Sequence, residues 1–414
     1  MSANALPTRR LKYAATINDA ALGEDTPPDY ELQYIDIGNV DSEGRIHDIA
    51  AYRFEAAPSR ARRQVRHGDV IISTVRTYLQ AIAPIIEPPE NLVVSTGFAV
   101  VRPMPGVLDQ GFCRYALREP KFLSEVICRS VGVSYPAINA SDLASIPIPL
   151  PPISRQRAIA DYLDHETAKI DEMITAKERL LGILAEKRRA LVTQAVTRGL
   201  NPAAPMRDSG IEWLGDVPSH WKPIKLRWLF KQVKRQGFPD LPPLSVYRDF
   251  GVILRESRDD NANRVPEDLD KYQLVEPGDL VINKMKAWQG SLGISALTGI
   301  TSPDYVVFAP VHDERPRFLN FLLRIPTLAT VYLSMSNGIR TNQWRLEPDR
   351  FVMLDLCLPP TREQEEIVSH VESRITGLDG LHAATIESIR ILRERRSALI
   401  AAAVTGQIDV EAAA

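Results

Sequence analysis

The chain has 414 residues, of which 44% are hydrophobic and 25% charged, with 50 Lys and Arg against 52 Asp and Glu. This composition is typical of soluble globular proteins and excludes wholesale disorder, which needs fewer apolar residues and a larger net charge. The length predicts two or three domains. No apolar run approaches the roughly 18–20 residues of a membrane span, so we expect no membrane partner. Three widely spaced cysteines argue against disulfides or a zinc cluster and favour a cytoplasmic location.

The second half of the chain repeats the first. Four short blocks recur in the same order at offsets of 206 to 210 residues: 65–72 at 275–282, 130–132 at 336–338, 150–159 at 358–367 and 186–191 at 394–399. A constant order and a nearly constant offset indicate an internal duplication. Two copies are too few for a solenoid, so we expect a molecule with pseudo-two-fold symmetry.

Each copy starts with a region of mixed character. Short β-branched runs bounded by Gly and Pro predict strands at 69–73 and 98–101, and again at 279–283 and 305–308. Less β-like stretches predict helices, namely 111–125 and 317–333. We therefore expect two similar α+β domains.

A long helix follows each domain. After Leu-Pro-Pro, residues 154–198 contain no Pro and a single Gly, with apolar residues at three- and four-residue spacing that include Met173. The second copy has the same pattern, including Leu381 and Ile386. This spacing predicts a coiled-coil-like seam, and about 45 helical residues span roughly 65–70 Å. A loose tether is the alternative for 153–198, but it would leave the apolar stripe exposed.

The second helix needs a partner for its own apolar stripe, and the first helix is the obvious one. To reach it, the second helix must run back toward the first domain, so we predict two α+β domains separated by a pair of long antiparallel helices. The predicted organisation is a first domain over 1–152, a first helix over 153–200, a second domain over 205–358 and a second helix over 359–410.

The sequence offers no credible catalytic motif. It has no Gly-x-Gly, no Gly-Lys, no Gly-x-Ser-x-Gly, and no pair of histidines at metal-binding spacing. The single Glu-x-Lys, Glu119-Pro-Lys121, lacks the upstream Pro-Asp that a metal nuclease needs. We therefore expect a recognition or scaffold subunit with no catalytic residues and no bound metal.

Three sets of residues resemble the specificity subunit of type I restriction–modification systems. The first is the lead-in Asp208-Ser-Gly-Ile-Glu-Trp-Leu-Gly-Asp-Val-Pro-Ser-His-Trp221. The second is the Gly-Asp-Val/Leu-Ile strand with its continuations, Ser73-Thr-Val-Arg76 and Asn283-Lys-Met-Lys-Ala-Trp-Gln-Gly290. The third is Leu-Pro-Pro-x-x-x-Gln-x-x-Ile before each long helix. The first copy departs from the family because it starts at Arg10-Leu-Lys-Tyr13 and lacks the tryptophan lead-in.

The resemblance implies a non-catalytic DNA-binding subunit. In the family, each globular domain reads one half of a bipartite target in double-stranded DNA, and the helices set the gap between the halves. Two methyltransferase subunits and the restriction and translocase subunits are the implied partners, in a complex that methylates adenine or cleaves DNA. S-adenosylmethionine, ATP and Mg²⁺ would then belong to those partners, with no cofactor in this chain.

Candidate DNA contacts lie in loops at the ends of the predicted strands. Cations, amides and aromatic side chains mixed in a loop suit base reading and stacking. In the first domain the candidates are Arg60, Arg62, Arg63, Arg76, Thr77, Tyr78, Ser134, Tyr135 and Asn139. In the second they are Lys284, Lys286, Trp288, Gln289, Arg340, Asn342, Gln343, Trp344 and Arg345. A solvated face for the first arginines, and a core position for the two tryptophans, are the alternatives.

Other interpretations stay open. The basic clusters at 187–189 and 393–396 could contact DNA or the methyltransferases, or be solvated ends of the helices. A fused nuclease or methyltransferase with an unrecognised site is one alternative function. A scaffold whose helices bind other proteins without DNA is another.

Overall fold

The two halves of the chain share most of their elements, in the same order. In this computed structural model the described residues are 6–258, 269–338 and 344–410. The strands of the first half are β1 (Thr8–Arg10), β2 (Ala15–Ile17), β3 (Glu31–Ile35), β4 (Ala50–Arg53), β5 (Ala61–Gln64), β6 (Val70–Ser73), β7 (Ile82–Pro84), β8 (Leu92–Ser95), β9 (Phe98–Pro103) and β10 (Pro147–Pro149). Its helices are α1 (Gln110–Ala116), α2 (Pro120–Cys128), α3 (Ala140–Ser145) and the long α4 (Ile153–Arg198).

The second half begins with an added hairpin and then follows the first. Its strands are β11 (Met206–Asp208), β12 (Asp216–Pro218), β13 (Lys222–Lys225), β14 (Phe230–Val233), β15 (Leu244–Tyr247), β16 (Gly251–Leu254), β17 (Gln273–Val275), β18 (Leu280–Asn283), β19 (Leu292–Ile294), β20 (Gly299–Thr301), β21 (Tyr305–Pro310), β22 (Ser336–Asn337), β23 (Arg345–Leu346) and β24 (Asp355–Leu358). Its helices are α5 (Pro316–Leu323), α6 (Pro326–Ser334), α7 (Pro348–Phe351) and the long α8 (Thr361–Val404).

The sheets match between the two α+β domains. In the first domain, a four-stranded antiparallel sheet has the order β2-β9-β6-β7, and a second sheet has the order β4-β3-β8-β5 with β3 and β8 parallel. In the second domain, the matching sheet is β14-β21-β18-β19, and the pairs β15-β16 and β17-β20 replace the second sheet. The repeat seen in the sequence is therefore a repeat of the fold.

The central strand of each domain is buried on both faces. Val70 and Ile72 of β6 belong to the core beneath the short helices, whereas Ile71 belongs to the core between the two sheets. Alternate residues of a strand point to opposite faces, so a run of three β-branched residues serves two cores. Leu280, Val281 and Ile282 divide in the same way in β18.

The short helices differ from the sequence prediction. Each single helix expected at 111–125 and 317–333 is two helices, because Pro120 and Pro326 each occupy the first turn of a new one. A proline there has no N–H to complete the preceding helix and disfavours a helical conformation in the residue before it. The sequence contained this signal.

The chain divides into two units, and each long helix contributes to both. One unit comprises residues 1–178 with 386–414, and the other comprises 179–385. In the first unit, the start of α4 and the end of α8 pack on the core of the first domain. In the second unit, the end of α4 and the start of α8 pack on the core of the second domain.

The two long helices run antiparallel within each unit. In the first unit, Arg396 of α8 pairs with Asp171 of α4 at 2.9 Å, and Arg393 lies 3.1 Å from Glu178. From one pair to the next, residue numbers rise on α4 and fall on α8. This is the antiparallel arrangement that the sequence predicted.

Fewer apolar residues of the long helices are buried than the spacing in the sequence predicted. Met173, Leu381 and Ile386 are all exposed, although the sequence assigned them to the seam. A helix of this length presents apolar residues on more than one face, and periodicity alone does not say which face meets a partner.

Glycines end both long helices. Gly199 follows α4 with φ 72°, and Gly406 follows α8 with φ 80°. At the second end, Gly406 N donates to Ala403 O and Gln407 N donates to Ala402 O, which is the Schellman pattern. The helix therefore ends at Val404 and does not extend to the expected position near 410. Among the described residues, no helix is long and apolar enough to cross a membrane.

A buried glutamine ties each long helix to its domain. Gln156 Nε2 donates to Pro151 O at 2.7 Å and Val107 O at 2.9 Å, and Oε1 accepts from Asp109 N at 2.8 Å. Gln364 repeats the arrangement, with bonds from Nε2 to Pro359 O and from Arg315 N to Oε1. Both side chains are fully buried. The glutamine of the repeated Leu-Pro-Pro block therefore fixes the direction in which each helix leaves its domain.

We expect Gln364→Ala to lower the free energy of unfolding of the second unit by about 2–4 kcal/mol, since it leaves buried backbone groups without partners. Urea denaturation followed by tryptophan fluorescence measures this, because all five tryptophans lie within 205–358. The exposed Gln194 of α4 gives the control, and Gln194→Ala should change stability by less than about 0.5 kcal/mol. Equal effects of the two variants would contradict the proposed role.

Candidate nucleic-acid interface

A Gly-Asp turn starts the central strand of each domain. In the first domain, Gly68 has φ 84°, which favours glycine, and the Asp69 carboxylate accepts from Arg66 N at 2.8 Å. The same carboxylate takes two bonds from Arg102 on the neighbouring strand β9, at 2.9 and 2.7 Å. These bonds raise the pKa of Arg102. These bonds fix the turn to the sheet. The turn precedes β6, and the loop with candidate DNA contacts follows β6.

The second domain has the same turn with a different cation. Gly278 has φ 94°, and Asp279 accepts from Glu276 N at 2.8 Å. Here Arg235 pairs with both Asp279 and Glu276. Burial raises the pKa of Asp279, and the bonds from Glu276 N and Arg235 oppose that shift.

The loop after β6 presents three exposed side chains, Arg76, Tyr78 and Leu79, in a strained turn. Arg76 and Gln80 both adopt the left-handed conformation, with φ of 51° and 52°, and they flank a single turn at Thr77–Leu79. Such a conformation is uncommon for residues other than glycine and is kept only where the surroundings enforce it. The turn leaves Tyr78 about half exposed.

A second loop, between α2 and α3, is joined to the first. Arg76 N donates to Pro136 O at 2.8 Å, and the Arg76 guanidinium lies 4.7 Å from the centre of the Tyr135 ring. Val131 and Ala137 exchange backbone bonds and close the second loop into a short hairpin. We call the exposed residues on these two loops the first loop patch, which comprises Arg76, Tyr78, Ser134 and Tyr135.

The equivalent loops meet in the second domain. The rings of Trp288 and Trp344 lie edge to face, 5.3 Å apart, and Trp288 Nε1 donates to Met285 O at 3.0 Å. Leu346 N donates to Lys284 O at 3.0 Å and joins the backbones of the two loops. We call the outward-facing set here the second loop patch, which comprises Lys286, Trp288, Gln289, Trp344 and Arg345.

Several sequence-predicted site residues have other roles. Thr77 is buried and its hydroxyl bonds to that of Ser130 at 2.7 Å, so it is not available to a ligand. Asn139 caps α3 by accepting from Asp142 N at 2.8 Å, and its amide also donates to the Asp142 carboxylate. Lys284 is half-buried. Arg340, Asn342 and Gln343 lie outside the described residues.

The core position that was the alternative for the two tryptophans is wrong. Trp288 and Trp344 are half-buried, and neither is a member of the buried core of the second domain. Each ring shields the other while part of its surface stays accessible. Aromatic side chains held this way are preordered for contact with a flat ligand face.

The first arginine cluster is divided. Arg60 is exposed at the turn before β5, whereas Arg62 lies over the Phe54 ring at 4.4 Å. Arg63 is half-buried, burial lowers its pKa, and its Nη1 has no partner in the structure. Only Arg60 of the three predicted contacts in this cluster is therefore fully open to solvent.

The basic clusters of the long helices are partly neutralised. Arg393 reaches Glu43 at 2.8 Å as well as Glu178, and Arg188 lies 3.7 Å from Asp379. The pair Arg188–Asp379 is the repeat of the pair Arg396–Asp171, since both residues are shifted by 208. These ion pairs between the helices were not predicted from the sequence, although charged residues that recur at the offset of the repeat are a signal for them.

Among the described residues, no group of three or more His, Cys, Asp or Glu side chains could hold a metal ion. The geometry instead brings cations and aromatic side chains together at matching positions of two similar domains.

Comparisons with known proteins show which proteins the chain resembles. Residues 63–180 match the family described as type I restriction modification DNA specificity domain. The EcoKI specificity subunit of Escherichia coli K12 is 23% identical over 75% of this chain and 68% of its own length. The EcoBI specificity subunit of Escherichia coli is 21% identical over 74% of this chain and 70% of its own.

Two solved structures share the fold. One comes from work described as the structural basis of complex assembly and conformational transition of the type I R-M system. It superposes with a TM-score of 0.71 at 21% identity and covers 98% of both chains. The HsdS subunit of Thermoanaerobacter tengcongensis gives a TM-score of 0.50, also at 21% identity, over 98% of this chain and 97% of its own. In sequence and in fold, the chain is thus similar to specificity subunits of type I restriction–modification systems.

We expect Asp279→Ala to lower the free energy of unfolding of the second unit by about 3–5 kcal/mol, because it leaves Arg235 without its buried partner. The control is Glu276→Ala, which removes the exposed partner of the same arginine and should cost less than about 1 kcal/mol. Urea denaturation followed by tryptophan fluorescence distinguishes them. Similar losses in both variants would show that burial of Asp279 is not what stabilises the turn.

Proposed function

We propose that this chain recognises a two-part DNA sequence, with each α+β domain reading one half and the two long helices setting the gap. The observation that carries the proposal is the pairing of loops in both domains. In each domain, the loop after the central strand packs against the loop that follows the second short helix. Cations and aromatic rings face outward from this pair of loops.

The two loop patches differ in chemistry on the same framework. The first places an arginine over a tyrosine ring, and the second places two tryptophan rings together beside Lys286 and Gln289. Arginine can bond to guanine through two nitrogens, glutamine pairs with adenine, and aromatic rings stack or contact thymine methyl groups. Unlike patches on like domains predict two unlike half-sites.

The recognition subunit would act within a larger complex. Two methyltransferase subunits and the restriction and translocase subunits would use the bound DNA, with adenine methylation and cleavage as their reactions. S-adenosylmethionine, ATP and Mg²⁺ would be held by those partners, and the complex would work in the cytoplasm. A net charge of only −2 accords with a chain that shares the phosphate backbone with partners.

Single-molecule methylation sequencing of the host genome, with and without this gene, tests the proposal. A split methylated motif that disappears with the gene supports it. If the purified complex with its methyltransferase subunit methylates DNA without sequence preference, the proposal is wrong.

Arg76→Ala and Lys286→Ala should each relax recognition of one half-site only. Loss of a base contact costs about 1–3 kcal/mol, or roughly 5- to 150-fold in preference at that position. Methylation of a randomised duplex library by the reconstituted complex measures both half-sites at once, so each variant is the control for the other. Equal loss over both half-sites would indicate a general electrostatic contribution instead.

The helix pair should act as the ruler. Deleting one helical turn from α4, within residues 179–190, shortens that helix by about 5.4 Å. The expected result is a changed gap or loss of methylation, with both half-sites unaltered. An unchanged gap with full activity would contradict the ruler.

A further inference from the structure

A cleft of about 560 Å³ lies in the unit formed by 179–385, where the β15-β16 hairpin faces both long helices. About half of its lining residues are apolar, with Val192, Phe321 and Leu378 among them. Charged side chains converge on it, namely Arg188, Arg189, Arg248, Arg324, Asp249 and Asp379. Cations outnumber carboxylates by four to two in that set, so the cleft favours an anionic group.

One of these arginines lacks a partner for a buried N–H. Arg324 follows α5, and burial lowers its pKa. Its Nη2 donates to Arg248 O at 2.7 Å, but its Nε is buried without an acceptor. Buried donors in folded proteins almost always find an acceptor, so Arg324 Nε is open to an acceptor from outside the chain.

The first domain shows what occupies the equivalent place. Arg118 is the repeat of Arg324, 206 residues earlier, and burial lowers its pKa to about 10. Its Nη2 donates to Ile82 O at 2.8 Å and reaches Ser42 O at 3.5 Å. A side chain on Gly44 would collide with this guanidinium, so the loop lies directly against it. Glu43 of the same loop pairs with Arg393 on α8 at 2.8 Å.

The second domain has only a short turn in place of that loop. Fourteen residues, 36–49, connect β3 to β4, whereas three residues, 248–250, connect β15 to β16. The arginine after the helix and the ion pair between the long helices are both retained. That ion pair is looser here, 3.7 Å for Arg188–Asp379 against 2.9 Å for its repeat, so Arg188 is open to another carboxylate.

We propose that the cleft is a docking site for an acidic turn of a partner protein, which takes the place that residues 36–49 fill in the first domain. A carboxylate of the turn pairs with Arg188 and Arg189, and a backbone carbonyl accepts from Arg324 Nε. A peptide fits better than a nucleic-acid phosphate, because the occupant of the equivalent place is peptide and about half of the lining residues are apolar. This proposal rests on the proposed function for one point, that the partner is a protein of the same complex.

The test uses the loop that already occupies the equivalent place. The probe is a head-to-tail cyclised, fluorescent peptide of residues 36–49, titrated with the full chain and followed by anisotropy. We expect Arg188→Gln with Arg189→Gln to raise Kd at least tenfold. The matched control, Arg179→Gln with Lys187→Gln, removes the same charge from exposed positions of α4 outside the cleft and should change Kd less than twofold.

Each other outcome overturns the proposal. No binding of the probe, or equal weakening by both double variants, means that the cleft is not a docking site. An unchanged Kd for the probe that carries Glu43→Gln means that the carboxylate does not drive binding. Displacement of the probe by a short non-target duplex, in wild type but not in Arg188→Gln with Arg189→Gln, assigns the site to nucleic-acid phosphate. Half-site recognition of the same variants, measured separately, distinguishes these results from failure of the proposed function.

Discussion

The side-chain amide buried at the first turn of each long helix is the constraint on which the rest of the structure depends. Gln156 and Gln364 each satisfy three backbone or side-chain groups at the junction of helix and domain. A buried amide has no water to replace a lost partner, so the junction has one low-energy geometry. The direction of the helix, and hence any spacing that it measures, follows from that geometry.

The division between framework and loops explains how two copies can diverge in what they read. The Gly-Asp turns, the central strands and the glutamines are buried, and changes there cost several kcal/mol. The loops that carry Arg76 and Lys286 are exposed and can change at little cost. A duplicated chain can therefore keep its architecture while each half acquires its own preference.

Much of this architecture could be predicted from the sequence because a repeat doubles every signal. The strands at 70–73 and 280–283 and the antiparallel helices follow from blocks that occur twice. The contact between the two loops was not predicted. The burial of single side chains could not be predicted in the same way. Thr77 and Tyr78 are neighbours in one loop, yet Thr77 is buried against Ser130 and Tyr78 is about half exposed, because burial depends on contacts with residues far along the chain. The cleft could not be predicted either, because it lies where the second domain has no counterpart of residues 36–49.

The division of the chain has a consequence for its synthesis. Residues 179–385 form a continuous unit, which can fold as soon as it leaves the ribosome. The other unit cannot close until 386–414 have been made, about two hundred residues after its first part. At about 5–20 residues per second, this leaves the part of the first domain's core that the end of α8 covers exposed for roughly 10–40 seconds. The domain that is made first is thus completed last, and each nascent chain must be kept from aggregating through that interval.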